Sequence, residues 1–153
     1  IESSMKVLEE ATADRKLLVI TDMTDFGSPR RRKRLKYLGS LAAATADVAV
    51  FIGVAADRGV RAAIAAGMPA TDAHAFESLR VAAEFLHREL RQGDLVLLKG
   101  RATDHTARLF FAQLGDVACW KEYCEKTMLC DTCWELGISR KEAARAKPVS
   151  SGG

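Results

Sequence analysis

Apolar positions along this chain come in two patterns that take turns. Short apolar runs, bounded by charged or polar residues, occupy positions 17–20, 48–52 and 95–98. Each has the length and composition of a strand buried on both faces. Between them, apolar residues recur at spacings of three and four, the pattern of helices with one buried face. A helix is expected over 3–13, with Ser3 or Ser4 as cap and Met5, Leu8 and Glu9 following at helical spacing. Ser28-Pro29 opens a second over 28–46, with Leu35, Leu38, Leu41 and Ala42 on one face. A third over 57–66 closes at Gly67. A fourth starts near Glu77 and turns Leu79, Ala82, Ala83, Leu86 and Leu90 inward. Asp104 caps a fifth, to about 114, and short strands are expected at 73–76 and 117–119. Strands alternating with helices imply an α/β fold, with a mostly parallel sheet and helices on both faces.

In such sheets ligands bind at the loops that follow the carboxyl ends of strands. Thr21, Asp22, Thr24, Asp25 and Gly27 follow the first strand at once. Asp22 and Asp25 stand where a cation, a ribose or an amino group could be held. Alternatively Asp22 caps the strand and Asp25 starts a turn. Lys99-Gly100-Arg101 follows the strand at 95–98. A lysine there suits a carboxylate or phosphate, and Gly100 lets a ligand come close to the backbone. The competing reading is a strand-to-helix turn with solvated charges. His105, in the first turn of the helix after that loop, is a further ligand candidate, whereas His74 and His87 lie apart from it.

Composition narrows the class. Hydrophobic residues make up 48% and charged residues 28% of 153, as in an ordinary globular domain large enough for a real core. A net charge of +3 does not by itself point to nucleic acid or membrane. No apolar run has the length of a membrane span. The densest charge run, Arg30-Arg31-Arg32-Lys33-Arg34, sits in the first turns of a helix, where the dipole prefers acids. A solvated face explains it more simply than a bound phosphate, and with only Tyr37 interleaved the signal for nucleic acid is weak. The chain has no G-x-x-x-x-G-K-[ST] phosphate loop, no G-x-G-x-x-G fingerprint and no G-x-S-x-G elbow. It opens on Ile1 with a helix pattern, which suggests a piece of a longer protein without a secretory signal.

All four cysteines, Cys119, Cys124, Cys130 and Cys133, lie close together, spaced C-x4-C-x5-C-x2-C. With no secretory signal, a reducing cytoplasm is expected. Thiolates at this density suit a structural zinc ion, with no open position for substrate. Four reduced thiols, some buried beside Trp120 and Trp134, two disulfides, or an iron–sulfur cluster are the other options. The expected division is a main domain over 1–118, a cysteine cluster over 119–136, and a flexible tail over 137–153.

Taken in order, ESSMKVLEEA, KLLVITDMTDFG, GSLAAATADVAVFIG and RQGDLVLLKGR resemble the C-terminal domain of the Mur ligases, most of all the ligases that add D-alanyl-D-alanine to the UDP-muramoyl-tripeptide of peptidoglycan. The resemblance covers about residues 3–114. It implies a Rossmann-like three-layer α/β domain, here with a small cysteine-rich C-terminal appendage. It also implies an ATP- and Mg-dependent parent enzyme, whose N-terminal and central domains would be this chain's partners. In that family a phosphate loop in the central domain activates an acid as an acyl phosphate, and the amine of a small amino acid or dipeptide attacks it. The C-terminal domain receives that amine.

Residue by residue, Asp22, Met23 and Gly27 match the family's acidic loop, Gly39 its helix glycine, and Lys99 and Gly100 its lysine–glycine. Asp25 replaces a glutamate, Leu35 a histidine, Arg101 a serine and Thr21 a glycine, and the cysteine segment lies outside the common pattern. The leading expectation is an amino-substrate-binding domain with no turnover on its own. The alternative is a metal-bearing interaction module that binds an acidic or nucleic-acid partner through Arg30–Arg34 and the cysteines.

Overall fold

The apolar run after Lys16 is the centre of the molecule: Leu17, Leu18, Val19 and Ile20 are each at most 1% exposed. The structure is a computed structural model and describes residues 2–21, 28–122, 124–126 and 128–137. Its elements run α1 (Glu2–Glu10), β1 (Arg15–Thr21), α2 (Ser28–Thr45), β2 (Val48–Ile52), α3 (Ala56–Ala65), β3 (Ala73–Phe76), α4 (Leu79–Glu89), β4 (Asp94–Lys99) and α5 (Ala107–Phe111), with 3-10 turns at Ala102–Asp104, Cys130–Thr132 and Trp134–Leu136. The strands form one parallel sheet in the order β3-β2-β1-β4.

Side chains alternate across the sheet with a period of two. Leu18, Ile20, Ala49, Phe51 and Ala73 pack under α1, α2 and α3, against Met5, Leu8, Leu38, Ala42 and Ala63. Leu17, Val19, Val48, Val50 and Ile52 pack on the other face against Ala82, Ala83 and Leu86 of α4 and Leu109 of α5. The result is the three-layer α/β architecture that the alternating pattern implied. α2 and α3 cross at Gly39. A Cβ there would lie 2.5 Å from Ala62 Cβ and 2.7 Å from the Gly59 carbonyl oxygen, so the close approach requires glycine.

Several expectations need correction. α1 starts at Glu2, so Ser3 and Ser4 lie inside its first turn instead of capping it, and it ends at Glu10, short of 13. The chain must leave the helix there to bring Arg15 level with Asp94, its partner in the β1–β4 register. β4 is not buried on both faces. As an edge strand it has Val96, Leu97 and Leu98 only half-covered and Leu95 36% exposed. The helix expected over 104–114 is a 3-10 turn followed by five-residue α5, because His105 adopts φ +54° and interrupts it. No strand forms at 117–119. Instead Ala118 N–H donates to the Leu136 carbonyl at 3.0 Å, folding the cysteine segment back. Phe111, Cys130 and Leu136, with Ala107 and Val117, make a small separate core that seats this segment on α5. Among the described residues no helix is long and apolar enough to cross a membrane. Asp22, Met23, Asp25, Gly27 and the expected flexible tail from 138 onward lie outside the described residues.

Candidate functional site

β1 is central because the chain adds β2 and β3 on one side of it and then returns to add β4 on the other. That reversal is a topological switch point, where the loops leaving two neighbouring strands diverge and open a crevice at their carboxyl ends. In the parallel register Ile20 stands opposite Lys99, so β1 and β4 end side by side. Lys99 is half-buried and its ammonium is paired with no acid among the described residues. Asp22 and Asp25 follow Thr21 in sequence and lie outside the described residues.

The loop after β4 is held by Asp104. Its Oδ2 accepts from the Thr21 hydroxyl at 2.5 Å and from the Arg101 backbone N–H at 2.8 Å. Its Oδ1 accepts from Arg101 Nε at 3.0 Å and Nη2 at 2.7 Å. Burial alone would raise the Asp104 carboxyl, but the hydrogen bonds from Arg101 and Thr21 outweigh it and hold the group below the usual carboxylate range. Gly100 fits inside this knot: a Cβ would come within 2.6 Å of Thr21 Oγ1 and 2.7 Å of Thr106 Cγ2. Arg101, expected as a ligand contact, has its guanidinium clamped on Asp104, which orders the turn beside Lys99.

His105 is drawn into a second cluster. It is 5% exposed, and its Nδ1 lies 3.2 Å from Cys130 Sγ. Burial, with the Arg108 cation beside it, pushes its imidazole below the ordinary value. Cys119, Cys124, Cys130 and Cys133 line one cavity of about 10 Å³, together with His105, Arg108 and Lys126. All four are free thiols. Burial pushes the Cys130 thiol up, and the hydrogen-bonded Arg108 opposes that rise. Of the two tryptophans near the cysteines, Trp120 packs against the sheet core, whereas Trp134 is 81% exposed with Lys126 Nζ 4.8 Å from its ring.

Sequence reasoning named Lys99, Gly100 and the cysteines but missed two side chains. Asp104 was visible as a cap, not as the anchor that Thr21 reaches from β1. Arg108, 2% exposed, reads in sequence as an ordinary helix cation, and nothing local marks it as buried. The Arg30–Arg34 run lies in the first turns of α2, with Arg30, Arg32 and Lys33 exposed. Leu35, where a family histidine was expected, is 1% exposed core.

The fold is an open parallel α/β domain whose topological switch point lies at the ends of β1 and β4. A family profile described as "Mur ligase, glutamate ligase domain" matches residues 1–102, 102 of the 153 residues, and the chain belongs to that family. The match stops before the cysteine segment. No curated protein and no solved structure matches the chain.

Proposed function

We propose that this domain receives the incoming amino substrate of a Mur-type, ATP-dependent amide-forming ligase of cell-wall peptide synthesis, with D-alanyl-D-alanine as the first substrate to test. The observation that carries this reading is Lys99, an ammonium without an acid partner among the described residues, at the switch point beside the end of β1. There it would hold the carboxylate of the amino substrate as a point charge. The Thr21–Asp104–Arg101 knot keeps the turn in place, so that little ordering is left to the binding step. Asp22 and Asp25, the next acids in sequence after β1, would take the substrate ammonium and guide its deprotonation before attack.

The chain contains no G-x-x-x-x-G-K-[ST] sequence, so its own residues do not fit the cradle that ATP and Mg²⁺ require. That chemistry is assigned to the parent ligase's other domains, and this chain alone is expected not to hydrolyse ATP.

Titration of the ¹⁵N-labelled chain with D-alanyl-D-alanine, D-alanine and L-glutamate tests the reading. Saturable amide shifts at Thr21, Lys99 and Gly100 are expected with one of the three, and their loss in Lys99→Met. Shifts confined to the surface of α2, or steady ATP turnover by the isolated chain, would reject it. A second reading, an interaction module, draws on the apolar exposure of the cysteine region: Met128 is 48%, Leu129 57% and Trp134 81% exposed.

A further inference from the structure

We propose that Cys119, Cys124, Cys130 and Cys133, which line one cavity, hold a single tetrahedral zinc ion that fastens the C-terminal segment to the turn that carries the Lys99 loop. This inference does not depend on what the rim binds.

Three observations carry it. The first is convergence. Four cysteines from a segment with two 3-10 turns and no strand line one cavity. Its volume, about 10 Å³, is roughly what one water molecule needs. That is room for one ion. Four soft donors around a single ion favour zinc.

The second is charge. Arg108 is 2% exposed, yet no acid pairs with it among the described residues. It donates to the Lys121 carbonyl at 2.5 Å and hydrogen-bonds Cys130, while its Nε has no partner. A buried cation without a counter-charge is costly. Lys126 Nζ also lies 3.8 Å from Cys133 Sγ. Four thiolates on a divalent ion leave a net charge of −2; Arg108, and Lys126 and Lys121, which share the single acid Glu135, carry a matching surplus of two positive charges. Two disulfides would leave Arg108 uncompensated.

The third is the outer shell. His105 Nδ1 lies 3.2 Å from Cys130 Sγ, placed to donate N–H to a ligating sulfur. His105 follows Asp104 directly, and its left-handed backbone joins the turn of Asp104 to α5. The ion would thereby be tied through Cys130 and His105 to the Thr21–Asp104 hydrogen bond and the Lys99 loop.

Among the described residues no group of three or more His, Cys, Asp or Glu side chains has metal-binding geometry, so zinc binding requires the four thiols to rotate inward within the cavity. The apolar core seating the segment is small, so metal binding would supply much of its folding free energy.

The test uses the whole chain, purified under reducing conditions, with elemental analysis, native and denatured thiol counts, and replacement by cobalt. One equivalent of zinc, four thiols protected until a chelator is added, and the cobalt spectrum of a tetrahedral thiolate site are expected. Four thiols reacting freely in the native chain with no metal, two disulfides, or bound iron would overturn the inference. Arg108→Gln is expected to weaken zinc affinity by about 10–100-fold, the usual effect of removing an outer-shell partner. Cys124→Ser that still folds, by unchanged protection of the β1 and β2 amides, yet binds zinc with undiminished affinity would overturn the four-thiolate set.

Discussion

The Thr21 hydroxyl, at the end of β1, donates a 2.5 Å hydrogen bond to Asp104 Oδ2, a residue 83 positions away in the turn after β4. It ties the end of β1 to the turn after β4, a side-chain contact beyond the sheet ladder. Thr21→Val keeps the shape and removes this bond. With Asp104 still held by Arg101, the variant should lose about 1–2 kcal/mol in urea unfolding. Amide exchange should rise first at residues 100–106. An unchanged midpoint and unchanged exchange would show that the bond orders nothing.

At the opposite end of the same strand pair, Arg15 grips Asp94 through Nε at 3.0 Å and Nη2 at 2.7 Å and also bonds Glu89. The Asp94 side chain is 4% and the Arg15 side chain 17% exposed. The hydrogen bond from Arg15 holds the Asp94 carboxyl below its ordinary value despite burial. A depressed folded value means that the unfolded chain binds the proton more readily. The contribution to stability is therefore full above the unfolded value, near 4, and is lost as pH falls through the folded one. Wild-type stability should drop on acidification below about pH 4. Asp94→Asn should lose about 1.5–3 kcal/mol at pH 7, the worth of a hydrogen bond to a charged group, since Arg15 keeps Glu89 as its acid, and show a flatter acid limb. Denaturant melts across pH 2–7 would check both, and parallel acid limbs would refute the assignment.

Gly39→Ala sets two effects against each other. Alanine should gain up to about 1 kcal/mol of helix propensity. Against this, the added methyl would meet Ala62 Cβ and the Gly59 carbonyl at the α2–α3 crossing, and overpacking of this kind costs about 1–3 kcal/mol. Backbone is among the atoms in the way and cannot swing aside, so net destabilisation is expected, read as a lower melting temperature. A higher one would mean that the helices separate freely.

Lys99→Met should leave stability within about 0.5 kcal/mol of wild type, since the ammonium pairs with no acid among the described residues. Response to the amino substrate should be lost in the same variant. A large stability loss with binding retained would make Lys99 a structural residue.

Much of the sheet was legible from local pattern. Val48–Ile52 lies where its apolar run placed it, because full burial on both faces demands uninterrupted apolar side chains, and Ala73–Phe76 forms the short strand expected there. Leu35, Leu38 and Ala42 are buried along α2 as their spacing required, because a helix fixes which residues share a face. The crowding of cysteines was also plain in the chain, since it is a matter of spacing alone.

What pattern could not convey were relations between distant segments. The order β3-β2-β1-β4 puts β4 at an edge, so its apolar run, indistinguishable in sequence from that of β2, is only half-covered. Thr21 and Asp104 meet because parallel strands bring two carboxyl ends together, and no periodicity spans that separation. Arg108 is buried and His105 is left-handed only because the cysteine segment folds back over α5. Side-chain spacing determined the elements, since each answers to its nearest neighbours along the chain. The meeting of the β1 and β4 ends and the thiol cavity were decided by strand order and chain return, because both are made by residues that become neighbours only in the folded molecule.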